Sequence, residues 1–193
     1  MLERLQALDR QLLLAVNHGH SPTLDAVMVF ASNRTVWFPA YTLLVGMLIY
    51  GFRRRALLLL PLLIAAVALA DGITSRLFKP YFGRPRPCHD GRLADLLLLP
   101  DGCGGQFGFL SSHAANSFAL AFFLAIVLPP HRFRALKIIV FIWAFLLSYS
   151  RMYLGAHYPT DVLGGAMVGS LLGWGAARVF QRWQLRWWGP LPS

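Results

Sequence analysis

The chain has 193 residues, 56% of them hydrophobic and only 13% charged, a composition that excludes an ordinary soluble domain and favours one membrane-embedded domain. The net charge of +10 would suggest a nucleic-acid partner for a soluble protein. Because the arginines cluster in short segments between apolar runs, membrane topology and an anionic substrate explain the charge, and no nucleic-acid partner is expected.

Residues 2–16 predict an amphipathic N-terminal helix. Glu3 and Asp9 interrupt its apolar residues, so no cleavable signal peptide is expected. Apolar side chains fall along one stripe, which fits either a helix lying in the membrane interface or a helix docked on a bundle. This stripe consists of Leu2, Leu5, Leu8, Leu12, Leu13 and Val16.

Apolar runs along the rest of the chain predict an all-α fold. Residues 22–31 form a short run after Ser21, the expected N-cap, and Pro22, the expected first helical residue. The run is too short to span a bilayer, which needs about 20 residues, unless it joins part of the preceding segment. Five clearer runs follow at 35–52, 56–78, 113–128, 135–150 and 159–180. The prediction is a single domain, 1–193, that forms an integral membrane helical bundle. It has five clear transmembrane helices, a sixth if the first run crosses, and an N-terminal interfacial helix.

Basic segments between these runs predict the orientation. Alternate crossings place Arg53–Arg55, the basic segment 131–137 and the C-terminal end of the last run on one side of the membrane. The positive-inside rule makes that side cytoplasmic. Residues 79–110 and 151–158 then share the opposite, outer face.

Glycines repeat every four residues in the last apolar run, a pattern that lets a neighbouring helix backbone approach closely. Packing within the bundle is the first interpretation, and a homodimer seam through Gly165, Gly169 and Gly173 is the alternative. Asp71, inside another run, is expected to hydrogen-bond within the bundle. As a coupling residue it would instead fit a lipid-binding or transport protein without catalysis.

Polar clusters on the outer face predict an anion site. Prolines after Lys79 predict a stiff, extended segment that presents Lys79 and Arg86, although a snorkelling cluster at the membrane edge would also fit. Ser111, Ser112 and His113 open an apolar helix, where free backbone N–H groups and the helix dipole favour an anion. For Ser111, helix capping alone is the alternative.

A third cluster contains Arg151, His157 and Asp161. If a helix begins two residues after His157, the Asp161 carboxylate can hold one ring nitrogen and direct the other outward, as in a nucleophile or base. Arg151 and the two cations of the first cluster suit phosphate oxygens, and the two histidines suit a nucleophile and a leaving-group acid. No carboxylate cluster accompanies them, which argues against a magnesium or two-metal mechanism, and no cofactor is expected.

The three clusters follow a recognisable order and spacing. Lys79 and Arg86-Pro87 fit Lys-x6-Arg-Pro, and residues 150–161 fit Ser-Arg-x5-His-x3-Asp completely. Residues 110–113 read Leu-Ser-Ser-His where the pattern has Pro-Ser-Gly-His, and the Ser112 hydroxyl could replace a backbone donor. With these core motifs, 79–161, the chain resembles the type-2 phosphatidic acid phosphatases, membrane relatives of the vanadium haloperoxidases.

This resemblance implies a phosphatase that works through a phosphohistidine and needs no metal. It assigns the nucleophile to His157, the orientation of that ring to Asp161, and protonation of the departing oxygen to His113. It also implies a set of residues that hold the phosphate oxygens, namely Lys79, Arg86, Ser111, Ser112 and Arg151.

The resemblance further implies a phosphorylated lipid as substrate, at the outer, periplasmic face of a bacterial inner membrane. In small bacterial members it points to undecaprenyl diphosphate, cleaved to the monophosphate. Phosphatidylglycerol phosphate, phosphatidic acid and lipid A phosphates remain alternatives, as does a phosphotransferase that passes the group to another lipid. Arg84, Arg92 and Asp90 fit either a second phosphate or solvated loop charges.

The two cysteines, Cys88 and Cys103, both lie in the predicted outer segment 79–110. Outside the cytoplasm they occupy an oxidising compartment, where a disulfide between them is expected. Such a bond would pin the active-site loop.

Overall fold

The computed structural model describes residues 2–129 and 133–189, so the predicted basic segment 131–137 is described only from Phe133 onward, and His131 and Arg132 lie outside the described residues. The described residues form no β-strand, which confirms the all-α class. Within the described ranges, short 3₁₀ turns and one π-helical turn connect eight α-helices. The helices are α1 (Leu2–Asn17), α2 (Pro22–Ser32), α3 (Phe38–Phe52), α4 (Ala56–Gly72), α5 (Lys79–Phe82), α6 (Ser112–Val127), α7 (Arg134–Tyr153) and α8 (Pro159–Trp188).

Helix α6 forms the centre of the bundle, with α4, α7 and α8 packed around it. Eleven of its sixteen residues are buried. Phe123 and Leu124 are fully buried in the main core, together with Leu59 of α4 and Phe180 of α8. A helix that is apolar on every side is the kind that a bundle buries at its centre.

The glycine stripe of α8 lies against the backbone of α6. A Cβ at Gly169 would overlap the carbonyl oxygen of Ala115, and one at Gly173 would overlap that of Ala119. Gly165 has the same relation to Ser111. The stripe is therefore occupied within the chain, as the first interpretation expected, and these glycines do not offer a free seam to a second copy.

Gly169→Ala is expected to destabilise the protein by about 1–3 kcal/mol, because the added methyl group must displace the α6 backbone. Gly175→Ala in the same helix is the matched control, since its Cβ would meet nothing within 4 Å. That change should leave stability unchanged or raise it by about 0.5–1 kcal/mol. Thermal unfolding in detergent compares the two variants, and equal melting temperatures would show that the close approach is not needed.

The basic segments gather at one end of the bundle. Arg55 Nη2 donates to the Trp188 carbonyl at 2.9 Å, which brings the α3–α4 turn to the end of α8. Lys137 Nζ, near the start of α7, donates to the Ala125 carbonyl near the end of α6 at 2.6 Å. These contacts agree with the predicted grouping of basic segments on one side, away from residues 79–110.

Three stretches of the described chain are long and apolar enough to cross a membrane, which supports a membrane-spanning bundle. They are Arg34–Phe82, Arg134–Tyr153 and Pro159–Trp188, whereas Pro22–Ser32 and Ser112–Val127 are shorter apolar helices. The first stretch contains both α3 and α4, which meet at Arg53 with a positive φ of 47°. The count of five or six spans stays a prediction. Large apolar side chains on the outer surface of these helices are exposed, among them Leu43, Tyr50, Leu57, Ile64, Ile142, Phe145, Met167 and Leu171.

Helix α2 begins at Pro22 after Ser21, as predicted, and the Ser21 side chain accepts from Leu24 N–H at 3.3 Å. Near its start, Asp25 accepts the Tyr153 hydroxyl at 2.6 Å. At its last residue, Ser32 accepts a hydrogen bond from Arg151. Both halves of α2 thus contact the same end of α7, an arrangement that favours a helix lying across the bundle over a sixth crossing.

Helix α1 is docked on the bundle, and it also keeps part of its apolar stripe exposed. Asn17 is fully buried, and its Nδ2 donates to the carbonyls of Leu98 and Tyr153 at 2.8 and 2.7 Å. Leu13 is fully buried as well, whereas Leu5, Leu8 and Leu12 are about half exposed. Both predicted roles of this helix are therefore compatible with the structure, since the exposed leucines can face lipid.

Candidate active site

A continuous helical run brings Lys79 to the site. The π-helical turn Ile73–Phe78 leads from α4 directly into α5, which is followed by its cap residue Gly83 with a positive φ of 54°. The predicted extended segment is wrong for the four residues of α5, because Pro80 stands in its first turn, where a missing N–H is tolerated. The chain becomes extended later, at Arg86.

Ser111 forms the N-cap of α6, which was the structural alternative for this residue. Its Oγ accepts from Ala114 N–H at 3.5 Å. Its own N–H donates to the backbone carbonyl of Asp161 at 3.0 Å. These bonds fix the start of α6 against the first turn of α8, so two of the predicted motifs meet there.

Ser112 joins α6 to the segment that contains Lys79. The Lys79 ammonium donates to Ser112 Oγ at 3.2 Å, and the hydroxyl oxygens of Thr74 and Ser75 lie 2.9 and 2.8 Å from the same atom. Lys79 is thereby held beside the N-terminal end of α6, where free N–H groups can receive an anion.

A tight turn between α7 and α8 presents His157. The carbonyl of Arg151 accepts from the N–H groups of Ala156 and His157 at 3.0 and 3.1 Å. Gly155 within this turn has a positive φ of 65°. Helix α8 then begins at Pro159, as predicted.

His157 and Asp161 are adjacent and almost completely buried, with 2% and 0% of their side chains exposed. His157 Nδ1 lies 3.6 Å from Asp161 Oδ2, which also accepts from Tyr158 N–H at 3.1 Å. The ring nitrogen has no hydrogen-bond partner among the described residues. The predicted pair is therefore brought together, with the carboxylate next to one ring nitrogen.

Burial lowers the pKa of His157 well below its ordinary value, and the positive charges of Arg86, Arg151 and Lys79 lower it further. The Gly108 backbone acts in the opposite direction. The ring is therefore unprotonated at neutral pH, as a nucleophile requires. The fold thus gathers all three predicted cations around one histidine.

The loop after α5 closes tightly around Arg86. Arg86 N–H donates to the Gln106 carbonyl at 2.9 Å, and Arg86 Nε donates to the Phe107 carbonyl at 3.3 Å. A Cβ at Gly104 would lie 2.9 Å from Arg86 Nη1, and one at Gly108 would lie 3.2 Å from Arg86 Cγ. Two glycines thus let this loop approach the arginine.

A disulfide joins Cys88 and Cys103, as predicted, and an antiparallel bridge pairs Pro85 with Phe107. The bridge residue Pro85 directly precedes Arg86 in the sequence, and Cys88 follows it. Together the two links hold the loop on either side of the arginine. Cys88, His89 and Cys103 also form the one group among the described residues whose ligand atoms are close enough for a metal ion. The two cysteines of this group form the disulfide with each other, and none of the predicted site residues belongs to the group.

Arg151 is a buried cation with free hydrogen-bonding capacity. Only 8% of the residue is exposed, and its Nη1 donates to Ser32 Oγ of α2. Asp101 Oδ2 lies 4.0 Å from the same nitrogen. Arg151 Nε has no partner among the described residues. An unsatisfied N–H of a buried guanidinium is well suited to an oxygen of a bound phosphate.

The site contains a fourth cation, Arg34, that sequence reasoning missed. Its Nε donates to Nε2 of His113 at 3.5 Å. Arg151, Lys79 and His157 are further electrostatic neighbours of His113, so this histidine lies in the same site. The signal in the sequence that could have indicated Arg34 is its position as a basic residue shortly after a short apolar run. The sequence alone does not show that α2 packs so that Arg34 lies beside His113.

An apolar cavity of about 490 Å³ opens beside His113 and Arg34. Asp71 and Asn116 are among its few polar residues, and Asn116 Nδ2 donates to Asp71 Oδ1 at 3.0 Å, as expected for a hydrogen bond within the bundle. The remaining walls come from α3, α4, α6 and α7 and include Phe38, Leu44, Ile64, Val67, Leu120 and Trp143. The cavity can take a hydrocarbon chain.

The second-phosphate interpretation is wrong for Arg84, because its charge is already paired within the protein. Arg84 Nη1 donates to Asp161 Oδ1 at 2.7 Å, and Nη2 donates to Asp9 Oδ2 at 2.6 Å. Asp90 accepts the backbone N–H of Arg92 at 3.1 Å, and Arg92 is exposed, as solvated loop charges would be.

Comparisons with known proteins agree with this geometry. The model of the PAP2 superfamily matches residues 56–185. A lipid A 4′-phosphatase of Bacteroides thetaiotaomicron is 40% identical, with 90% of this chain and 77% of that protein aligned. A lipid A 4′-phosphatase of Porphyromonas gingivalis is 30% identical, with 97% of this chain and 79% of that protein aligned.

Among solved structures, the PAP2-type phosphatidylglycerolphosphate phosphatase of Bacillus subtilis superposes with a TM-score of 0.68. The sequence identity is 25%, over 95% of this chain and 89% of that one. The family match covers α4 to α8 and includes every predicted site residue from Lys79 to Asp161. The chain therefore belongs to the PAP2 superfamily and is a lipid phosphatase.

Proposed function

We propose that this protein removes a phosphate group from a phosphorylated glycolipid of the lipid A type. Its relatives from Bacteroides and Porphyromonas are both lipid A 4′-phosphatases, and the 40% identity to the first extends over 90% of this chain. This is the observation on which the proposal depends. Undecaprenyl diphosphate, the substrate expected from the motifs, is not favoured by these relatives and becomes the comparison substrate.

In the first step of the proposed reaction, Nε2 of His157 attacks phosphorus, since Nδ1 of the ring faces Asp161 at 3.6 Å. An N–P bond forms while the P–O bond to the lipid breaks. The positive charge that develops on the ring is stabilised by the Asp161 carboxylate. His113, whose Nε2 accepts from Arg34 in the free site, takes a proton from the bound phosphate monoester and gives it to the departing oxygen, so the lipid leaves as a neutral alcohol.

In the second step, water attacks the phosphohistidine. His113, now unprotonated, takes a proton from this water, the N–P bond breaks, and inorganic phosphate leaves. His113 returns this proton to the departing phosphate, so both histidines are neutral again, as at the start. No metal ion takes part in either step.

We assign the phosphate oxygens to Lys79, Arg86 and Arg151, with the hydroxyl group of Ser112 as a further donor. Their electrostatic action on His157 and the unsatisfied Nε of Arg151 support this assignment. The Ser111 hydroxyl caps α6 through its oxygen and keeps its proton free for the phosphate.

Arg34 extends this set on the side of the leaving group. Its Nε donates to the ring nitrogen of His113 at 3.5 Å, a contact that a bound phosphate oxygen would replace. Pairing of Arg34 with the phosphate would release the His113 nitrogen for the departing oxygen. The adjacent cavity, about 490 Å³ in volume, would receive an acyl chain of the leaving lipid.

We also propose that the site faces the periplasm. The basic α3–α4 turn and the end of α8 meet at the opposite end of the bundle, which the positive-inside rule makes cytoplasmic.

Phosphate release in detergent with EDTA, across a panel of lipids, tests the proposal. The panel contains lipid A, undecaprenyl diphosphate, phosphatidylglycerol phosphate and phosphatidic acid. We expect the highest kcat/KM on lipid A and no loss of activity with EDTA. A higher kcat/KM on undecaprenyl diphosphate would refute the proposed lipid A substrate, and an acceptor-dependent phosphorylated product would indicate a phosphotransferase.

A separate experiment with membrane vesicles tests the proposed periplasmic orientation. Right-side-out vesicles should cleave an impermeant short-chain phosphate without detergent. Cleavage only in inverted vesicles would refute the orientation.

A further inference from the structure

Asp9 of α1 is buried beside the His157–Asp161 pair, although it lies outside the residues that match the family model. Only 3% of Asp9 is exposed. Its Oδ1 accepts from Thr160 N–H at 2.9 Å, and its Oδ2 accepts from the Thr160 hydroxyl at 2.5 Å. The carboxylate therefore meets the first turn of α8, one residue before Asp161.

Arg84 connects this carboxylate to Asp161. One guanidinium nitrogen donates to Asp161 at 2.7 Å, and the other donates to Asp9 at 2.6 Å. The guanidinium carbon also lies 4.0 Å from the centre of the Tyr158 ring. One cation is thus shared by two carboxylates, and the carboxylate of Asp161 stands between this cation and His157.

Because Asp9 and Asp161 share Arg84, the three side chains together determine the net charge next to His157. Asp9 and Asp161 contribute two negative charges and Arg84 contributes one positive charge, so the group has a net charge of −1. Without Asp9, Arg84 and Asp161 would form a neutral ion pair. The ring would then lose the negative partner that stabilises its charge during attack on phosphorus.

We propose that Asp9 is a positioning residue for the phosphatase reaction: by sharing Arg84, it keeps the group next to His157 net negative and the Asp161 carboxylate oriented towards the ring. The N-terminal helix is in this way part of the catalytic apparatus and not only a membrane contact. The inference rests on the proposed role of His157 as nucleophile.

Charge balance makes an unusual prediction about paired substitutions. Asp9→Asn changes the net charge of the group to 0, and Arg84→Gln changes it to −2. The double variant Asp9→Asn/Arg84→Gln restores −1 and keeps an acceptor oxygen for Thr160 N–H. Each single change should lower kcat by roughly tenfold or more with little effect on KM, the size of effect seen for groups that orient a reacting residue. The double variant should be more active than either single variant.

The test measures kcat and KM for the four proteins on the best lipid of the panel. Glu3→Gln removes a carboxylate from an exposed position of the same helix and should behave as the wild type. Asn17→Ala weakens the docking of α1 at its other end, so it should lower the melting temperature while the folded protein keeps its kcat. An Asp9→Asn variant with wild-type kcat, or a double variant no more active than the more active of the two single variants, would overturn the inference.

His157→Ala, measured in parallel, separates this inference from the proposed function. If His157→Ala is active, the proposed mechanism fails. If it is inactive while Asp9→Asn is fully active, only the inference about Asp9 fails.

Discussion

Replacing His157 with alanine is expected to abolish phosphate release, with kcat lowered by roughly 10⁴-fold or more, as for the removal of other catalytic nucleophiles. The substitution deletes the nitrogen that receives the phosphoryl group, and the Asp161 carboxylate cannot replace it because Arg84 and the Tyr158 N–H hold that carboxylate. The lowered pKa of His157 keeps that nitrogen unprotonated at neutral pH in the wild type. Wild-type protein quenched during turnover should contain an acid-labile phosphohistidine, and the variant should contain none.

Folding must be checked for this variant because His157 is 1% exposed and its loss leaves a cavity. Thermal unfolding and size-exclusion profiles in detergent establish whether the protein remains intact. His20→Ala is the matched control, since it removes an exposed histidine from the α1–α2 turn and should retain turnover. Wild-type activity in folded His157→Ala would exclude the phosphohistidine mechanism.

Sequence patterns predicted the parts of this molecule that depend on local chemistry. The N-cap at Ser21, the start of α8 at Pro159 and the closeness of His157 to Asp161 all follow from capping preferences and helical spacing. The Cys88–Cys103 disulfide followed from the predicted compartment of one segment. In each case the interacting residues are near one another in the chain or share one segment.

Two contacts between residues far apart in the sequence were not predicted. Arg84 resembled a solvated loop charge because its partner Asp9 is 75 residues away in the sequence. Arg34 was missed because its contact with His113 spans 79 residues. Both contacts exist because α1 and α2 pack over the site. Neither helical periodicity nor the charge pattern of the sequence indicates this packing.

The glycine stripe shows how one pattern can support two structures. Gly165, Gly169 and Gly173 indicate a closely packed helix face, and periodicity alone does not identify the partner. The structure places α6 there, with Ala115 and Ala119 as the contacting residues. Small residues on both helices reduce the distance between the backbones and fix the two site segments, at Ser111 and at Asp161, against each other.

His113→Ala is expected to lower lipid dephosphorylation by about 10²- to 10⁴-fold, the range typical of a lost general acid. The lipid leaves as an alkoxide unless a proton reaches its oxygen, and His113 is the ring beside the cavity proposed for that lipid. With p-nitrophenyl phosphate the leaving group is stable without protonation. Formation of the phosphohistidine from this substrate should therefore be much less affected by the substitution.

Rapid-mixing kinetics distinguish this role from a structural one. With p-nitrophenyl phosphate, His113→Ala should give a burst of p-nitrophenol followed by a slow phase, because the second step still needs a base for water. A phosphohistidine should then accumulate to a higher level than in the wild type. His157→Ala should show no burst on either substrate. An equal loss of the first step on lipid and on p-nitrophenyl phosphate would mean that His113 does not protonate the leaving group, and the proton would have to come from another group of the site.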